Sequence, residues 1–320
     1  MRPADNWLTE NKHFLPVASY MKLAREIVRV LIGLVFITSA VLKLISVDAF
    51  EIYIFSHQWF SLSVSSILAR TIISVEALLG LLLIARWEFK TLRWITAFIL
   101  LSFSLLLLWK IIQHDTENCQ CFGSALPMTP ATSLWKNVAL GLGLFFIWKT
   151  PNSNWKYQAS YALFVGVFAL ATPSIASPPD FLMQYPTMPE NTMAEAGKRL
   201  FADPDAAAVI PNQGNYVVCM FSVDCHYCKQ AAEKMDILAK RHHFESQVRI
   251  IFAGETMLIP TFQRETHTTQ YTYTWMPMRR FFGIAGPSVP SIYLVENGQV
   301  KQHFHFRNID ENTLAQFFSK

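Results

Sequence analysis

The distribution of apolar residues limits most strongly how this chain can fold. Five stretches, about 27–47, 62–85, 92–112, 131–148 and 157–176, are dominated by Leu, Ile, Phe, Val and Ala. Each approaches the roughly 20 residues that a helix needs to cross the hydrocarbon core of a bilayer. The fourth is the shortest and carries Lys136 near its start. Residues 177–320 instead have the charged, mixed composition of a water-soluble domain, so the overall hydrophobic content of 52% averages two unlike halves. The expected fold class is an α-helical membrane bundle, a four-helix core plus a fifth span, followed by an α/β domain.

Charge placement orients these spans. Arg2, Lys12, Lys22, Arg25 and Arg29 cluster at the start of the first span, Arg86, Lys90 and Arg93 between the second and third, and Lys149 and Lys156 between the fourth and fifth. Residues 48–61 and 113–130 contain no Lys or Arg. Positively charged connections stay on the cytoplasmic side, so the N-terminal segment 1–26 is expected in the cytoplasm and the C-terminal domain outside. In a bacterium this describes a multi-pass inner-membrane protein with a periplasmic soluble domain. No short apolar core with a small-residue cleavage site opens the chain, so a cleavable leader is not expected there. The net charge of +4 is modest and sits at span ends; a nucleic-acid partner, which needs a dense basic face, is not expected.

The cysteines then define the chemistry. Cys119 and Cys121 lie in Asn118-Cys-Gln-Cys-Phe-Gly123, within one of the connections free of Lys and Arg, and Cys225 and Cys228 lie in Asp224-Cys-His-Tyr-Cys-Lys229. On the orientation above both pairs, and Cys219, face the oxidising compartment, where disulfides persist and exchange. No cysteine faces the cytoplasm, which disfavours transport of reducing equivalents from a cytosolic donor. A disulfide closing so small a ring as Cys119–Cys121 departs from relaxed geometry and is easily reduced, a property suited to exchange rather than scaffolding. The other readings are that the two never pair with each other, or that they bind a soft metal ion. Three ionisable residues fall inside spans, Lys43, Arg70 and Glu76. Such groups face a bundle interior or a polar cavity: a pocket beside Lys43 and Arg70 could hold a quinone head group, but an internal ion-pair network is favoured.

The second half reads as strand (216–222), Cys-X-X-Cys, helix (229–243), strand (248–253), a Thr- and Tyr-rich insertion (256–277) expected as an edge strand or packed loop, a short helix (278–284), a β-hairpin turning at Asn297-Gly298, and a last helix (309–318). A thiol where a strand meets a helix N-terminus feels the positive end of the macrodipole, which favours its thiolate; His226 next to Cys225 could add to this. Zinc would want two further ligands, and His242 and His243 lie at the far end of the helix, so no metal is expected. Cys219, within the first strand, reads as an inert buried thiol. Between the halves, Pro178, Pro179, Pro186, Pro189, Pro204 and Pro211 mark 177–214 as a semi-extended tether with one short helix near 192–201. The small residues of Ala171-Thr-Pro-Ser-Ile-Ala176 resemble a signal-peptide cleavage region, which leaves release of the soluble domain open.

Two family resemblances follow from these motifs. Strand, Cys-X-X-Cys, helix and a distal Val289-Pro290 before a strand resemble the thioredoxin fold over about residues 190–320, with 215–320 as the folded domain. The resemblance implies a cis Pro290 packed against the dithiol, Cys225 as nucleophile and Cys228 as resolving thiol. A His between the cysteines resembles the oxidising members of that family. Residues 31–45, Glu76-Ala-Leu-Leu-Gly80 and Cys119-Gln-Cys-Phe-Gly123 resemble the MauE/DoxX family of four-helix bacterial membrane proteins over about 24–150. MauE is associated with maturation of methylamine dehydrogenase, a disulfide-rich periplasmic enzyme, so this resemblance implies disulfide handling outside the inner membrane. The whole plan is similar to bacterial vitamin K epoxide reductase homologues, whose core uses two cysteine pairs where this chain has one. The function expected is therefore an enzyme of thiol–disulfide exchange between Cys225/Cys228 and Cys119/Cys121, acting on periplasmic protein thiols or disulfides, with a quinone as a candidate cofactor. The alternative is a non-catalytic assembly factor for one periplasmic disulfide-containing client.

Overall fold

The computed structural model describes residues 17–87, 89–150, 157–183, 185 and 188–319. The basic residues Arg2, Lys12 and Lys156, and Pro186 of the expected tether, lie outside the described residues. The chain divides into two compact units, one of residues up to Leu42 with Ser74–Phe122 and Leu126–Ala171, the other of Lys43–Ile73, Gly123–Ala125 and the chain from Thr172 onward.

The first half of the chain is helical: α1 (Val17–Ile45), α2 (Val47–Ser56), α3 (Leu62–Ala85), α4 (Phe89–Ile112), α5 (Pro130–Phe146) and α6 (Gln158–Ala176). Within α1, α3, α4 and α6 the segments Ser19–Ile45, Leu62–Ala85, Lys90–Ile112 and Gln158–Ala176 are long and apolar enough to cross a membrane. At 17 residues α5 is shorter, in keeping with the weak fourth stretch of the sequence; Thr129 caps its start, accepting from the Thr132 amide, and Pro130 takes the first helical position. In the first unit, Ile32 and Phe36 of α1 pack with Leu79, Leu82 and Leu83 of α3 and with Leu92, Leu100 and Leu144. A Cβ on Gly80 would meet the Gly33 carbonyl oxygen at 2.7 Å, so α1 and α3 cross through a pair of glycines. Trp94, Phe98, Leu101, Leu105, Leu108 and Ile112 stay exposed along one face of α4. An apolar stripe of that length, left outside the packed core, is a lipid-facing surface.

The second unit holds α7 (Glu190–Ala202), α8 (Pro204–Ala207), β1 (Asn215–Ser222), α9 (His226–His242), β2 (Val248–Ala253), α10 (Ile259–Glu265), β3 (Thr272–Trp275), α11 (Met278–Ala285), β4 (Ser291–Glu296), β5 (Gln299–His305) and α12 (Glu311–Phe318). The sheet runs β3-β2-β1-β4-β5. Strand β2 is parallel to both β1 and β3, and β4 is antiparallel to β1 and β5. A β1-α9-β2 crossover joined to a β4-β5 hairpin and a closing helix, with the dithiol at the start of α9, is the thioredoxin-like arrangement. The insertion supplies α10 and the edge strand β3.

Two parts of this unit differ from the sequence reading. Much of the expected tether is folded: Ala196, Leu200, Ala206 and Ile210 pack under the sheet with Val218, Met220, Ile251 and Tyr293. Asp203 caps α8 and also binds Arg280 at 2.8 Å. Moreover α2, in a connection to which the sequence reading assigned no element, enters the core of the thioredoxin-like domain through Ile52 and Phe55. Its carboxylates are paired as well. Glu51 accepts from Arg70 at 3.0 Å and lies 3.9 Å from the Lys234 ammonium, which is itself 3.7 Å from Asp180. Arg307 binds Asp48 at 2.8 Å and Asp180 at 2.9 Å. Arg70 also donates to the Ser66 hydroxyl and to the Ser177 and Pro178 carbonyls. Lys43 lies over the Phe50 ring at 5.4 Å. The favoured reading of an ion-pair network therefore describes Arg70.

Phe55 is fully buried in this core, so Phe55→Ala should destabilise the thioredoxin-like domain by about 3 kcal/mol. Thermal unfolding of the full-length protein checks this; an unchanged midpoint would mean that α2 is not part of the core.

Candidate redox site

Cys225 is the N-cap of α9, with extended backbone torsions, and its Sγ accepts the Cys228 backbone N–H at 3.2 Å. The approach to this turn is tight. The Val223 amide bonds the Ala253 carbonyl, and Gly254, at φ +108°, passes so close that a Cβ would meet Val223 Cγ2 at 2.6 Å. The Cys225 thiol points to the Val289 carbonyl at 3.9 Å, and the Val289–Pro290 bond is cis. The residue before the cis bond, Val289, thus stands beside Cys225.

The two thiols are electrostatically unlike. A hydrogen bond from the Cys228 thiol, aided by the Cys228 and Tyr227 amides, outweighs burial and brings Cys225 down to about 6. Cys228 is fully buried, and burial with the bond to Cys225 pushes its thiol well above the ordinary range. Cys225 is half-buried and can meet a substrate. His226 is exposed, with its ring 5.8 Å from that of Tyr227; the forces acting on Cys225 come from Cys228 and the helix amides. Cys219 is fully buried in β1 and burial raises its thiol, which makes it unreactive.

The second pair lies in the first unit. Cys119 Sγ is 2.9 Å from Cys121 Sγ and 2.8 Å from the Ser133 hydroxyl at the start of α5. The loop is pinned by Asn118, whose side-chain oxygen accepts from the Gln120 and Met128 amides, and by the Cys119 N–H donating to the Met128 carbonyl. Gln120 adopts φ +53°, which brings both sulfurs to one side of the turn. Ser39 Oγ lies 2.8 Å from the Cys121 carbonyl oxygen and 2.9 Å from Glu76, so this intramembrane carboxylate stands beside the dithiol loop. Cys119 and Cys121 are only 4% and 8% exposed. The hydrogen bond to Cys121, together with burial, holds the Cys119 thiol far above its usual range. Sequence reasoning missed Ser39, Ser133 and the Val289 carbonyl, because nothing local marks them. Among the described residues no group of three or more His, Cys, Asp or Glu side chains could hold a metal ion; His242 instead contacts Glu311 at 3.2 Å.

Residues 21–149 match the family model of methylamine utilisation protein MauE. This segment is a MauE domain. Over 342 aligned positions the chain is 25% identical to Protein TlpB of Flavobacterium psychrophilum, covering 87% of this chain and 90% of that protein. A solved secreted disulfide oxidoreductase of Mycobacterium tuberculosis aligns with 36% of this chain and 85% of its own, at 11% identity and a TM-score of 0.28. The thioredoxin-like assignment rests on the strand order and the dithiol's place, not on that likeness. The chain is thus a membrane protein with a MauE domain and a thioredoxin-like region, related to TlpB.

With Cys225 brought to about 6, against about 8.5 for an unperturbed thiol, iodoacetamide should modify it with a half-maximal rate near pH 6. Cys228→Ala removes the thiol donor and should move that midpoint upward. The depressed value also makes the reduced protein more stable at high pH: the contribution is full above the unfolded pKa and is lost as pH falls through about 6. The oxidised protein, lacking this titration, should show no such slope. A midpoint at or above 8.5 would remove Cys225 as the nucleophile.

Proposed function

We propose that this protein is a membrane-bound thiol–disulfide oxidoreductase in which Cys225/Cys228 exchanges disulfides with extracytoplasmic protein thiols and with Cys119/Cys121. The observation that carries the reading is the asymmetry of the first pair, a half-exposed low-pKa Cys225 over a buried high-pKa Cys228. A thiolate on the client attacks Cys225 of the disulfide and Cys228 leaves as the thiolate. The client's second thiol then resolves the mixed disulfide, so two electrons and two protons pass to the pair. Stabilisation of the Cys225 thiolate favours the reduced pair and hence oxidation of the client. Cys225 next attacks a Cys119–Cys121 disulfide and Cys228 resolves, which returns the first pair to its oxidised form. Support for an extracytoplasmic, periplasmic setting comes from the Lys/Arg asymmetry of the connections.

The burial of Cys119 and Cys121 favours a second reading, an assembly factor whose loop cysteines are structural; one experiment separates the two. Replacing Cys228 and one of Cys119 or Cys121 by Ser removes both resolving thiols. One such variant should accumulate a covalent link between the loop and the thioredoxin-like domain. A protease site engineered after Ala176 would show it as two fragments that part only on reduction. Fragments that separate freely in both double variants would leave the loop cysteines structural.

A further inference from the structure

We propose that the groove between α4 and α5 binds a lipid-soluble quinone, with its head group at Ser104 and Asn137, and that this quinone takes electrons from the Cys119–Cys121 dithiol. The groove encloses about 310 Å³ and is lined by apolar side chains such as Leu100, Leu101 and Trp148, with Ser104 and Asn137 as its polar members. It opens on the lipid side, where Leu101 is 59% exposed. Gly141 makes room for it: a Cβ there would meet nothing within 4 Å.

Asn137 decides the ligand. It is 5% exposed on an apolar helix, a costly place for an amide. Its Nδ2 donates to Ser104 Oγ at 3.3 Å, while Ser104 donates to the Leu100 carbonyl. Among the described residues the Asn137 carbonyl oxygen has no hydrogen-bond partner. An acyl chain could not satisfy it. A quinone carbonyl can accept from the second amide hydrogen, and a hydroquinone hydroxyl can donate to the amide oxygen, so one side chain serves both redox forms.

The polar end also lies toward the dithiol. Ser133 and Asn137 are both buried on α5, four residues and therefore one turn apart, about 5.4 Å along the axis. Ser133 Oγ is 2.8 Å from Cys119 Sγ. The step balances: the two thiols lose two electrons and two protons as the S–S bond forms, and the quinone gains both to become a hydroquinone. The electron-transfer half rests on the exchange function proposed above; binding does not.

The test uses the full-length protein in lipid nanodiscs, with Cys119 and Cys121 both replaced by Ser, titrated with a short-chain ubiquinone or menaquinone analogue. Saturable quenching of the fluorescence of Trp148, identified by its loss in Trp148→Phe, is expected. Gly141→Leu, which fills the groove, and Asn137→Leu, which removes its polar end, should each weaken binding at least tenfold. Non-saturable quenching, or equal quenching in the parent and both variants, would overturn the site. In the second arm, pre-reduced protein with Cys225 and Cys228 both replaced by Ser should bleach one quinone per Cys119–Cys121 pair, and Gly141→Leu should abolish this. Binding without bleaching would overturn the electron-accepting role. Failure of the mixed-disulfide trap alone would leave quinone binding standing.

Discussion

A buried ammonium group organises the half of this protein that holds the thioredoxin-like domain. Lys234 is 2% exposed, and a charge so placed costs several kcal/mol unless partners surround it. Those partners come from far along the chain: Glu51 on α2, Asp180 just beyond α6, and the Phe306 ring at 4.3 Å. Phe306 in turn packs against Tyr227, between the two redox cysteines, at 5.2 Å. The helix that carries the dithiol is thereby tied to the segment between the first two spans. Further along, Glu311 accepts from the Leu62 amide and from Arg241, which also donates to the Phe60 carbonyl. The thioredoxin-like domain with its α2 cap is therefore a single folded body.

The two dithiols are built for different tasks. Cys225 sits at a helix start, half-exposed, with donors aimed at its sulfur. Cys119 and Cys121 are enclosed by Leu107, Met128 and Leu134, and hydrogen bonds fix their loop. A solvent-facing nucleophile and a sheltered partner suit a chain in which the first meets diverse clients and the second meets only a chosen thiol.

Much of this was legible in the sequence where the signal is local. The strand Val248–Ala253 falls where the apolar run placed it, and the Asn297-Gly298 turn joins β4 to β5. A lowered Cys225 was expected from its place before a helix, but the larger cause is the bond from the buried Cys228 thiol, which no local pattern marks. The failures are all long-range. Helix α2 went unassigned because ten residues are too few to span a bilayer and its burial partners lie some 180 residues away. The tether's prolines suggested extension, yet Pro189 and Pro204 stand at the starts of α7 and α8, where proline is tolerated. Enclosure of the Cys119 loop depends on Ser39 and Ser133, which only the packing of helices brings near.

The central claim, that electrons pass from Cys225/Cys228 to Cys119/Cys121, is tested most directly by following both pairs in time. Full-length protein, with Cys119–Cys121 oxidised, is mixed with a reduced client peptide, quenched in acid and mapped by mass spectrometry after differential alkylation. Reduction of Cys225/Cys228 should come first, that of Cys119/Cys121 should follow, and Cys225→Ala should abolish the second event. Reduction of Cys119–Cys121 at an unchanged rate in Cys225→Ala would contradict the account.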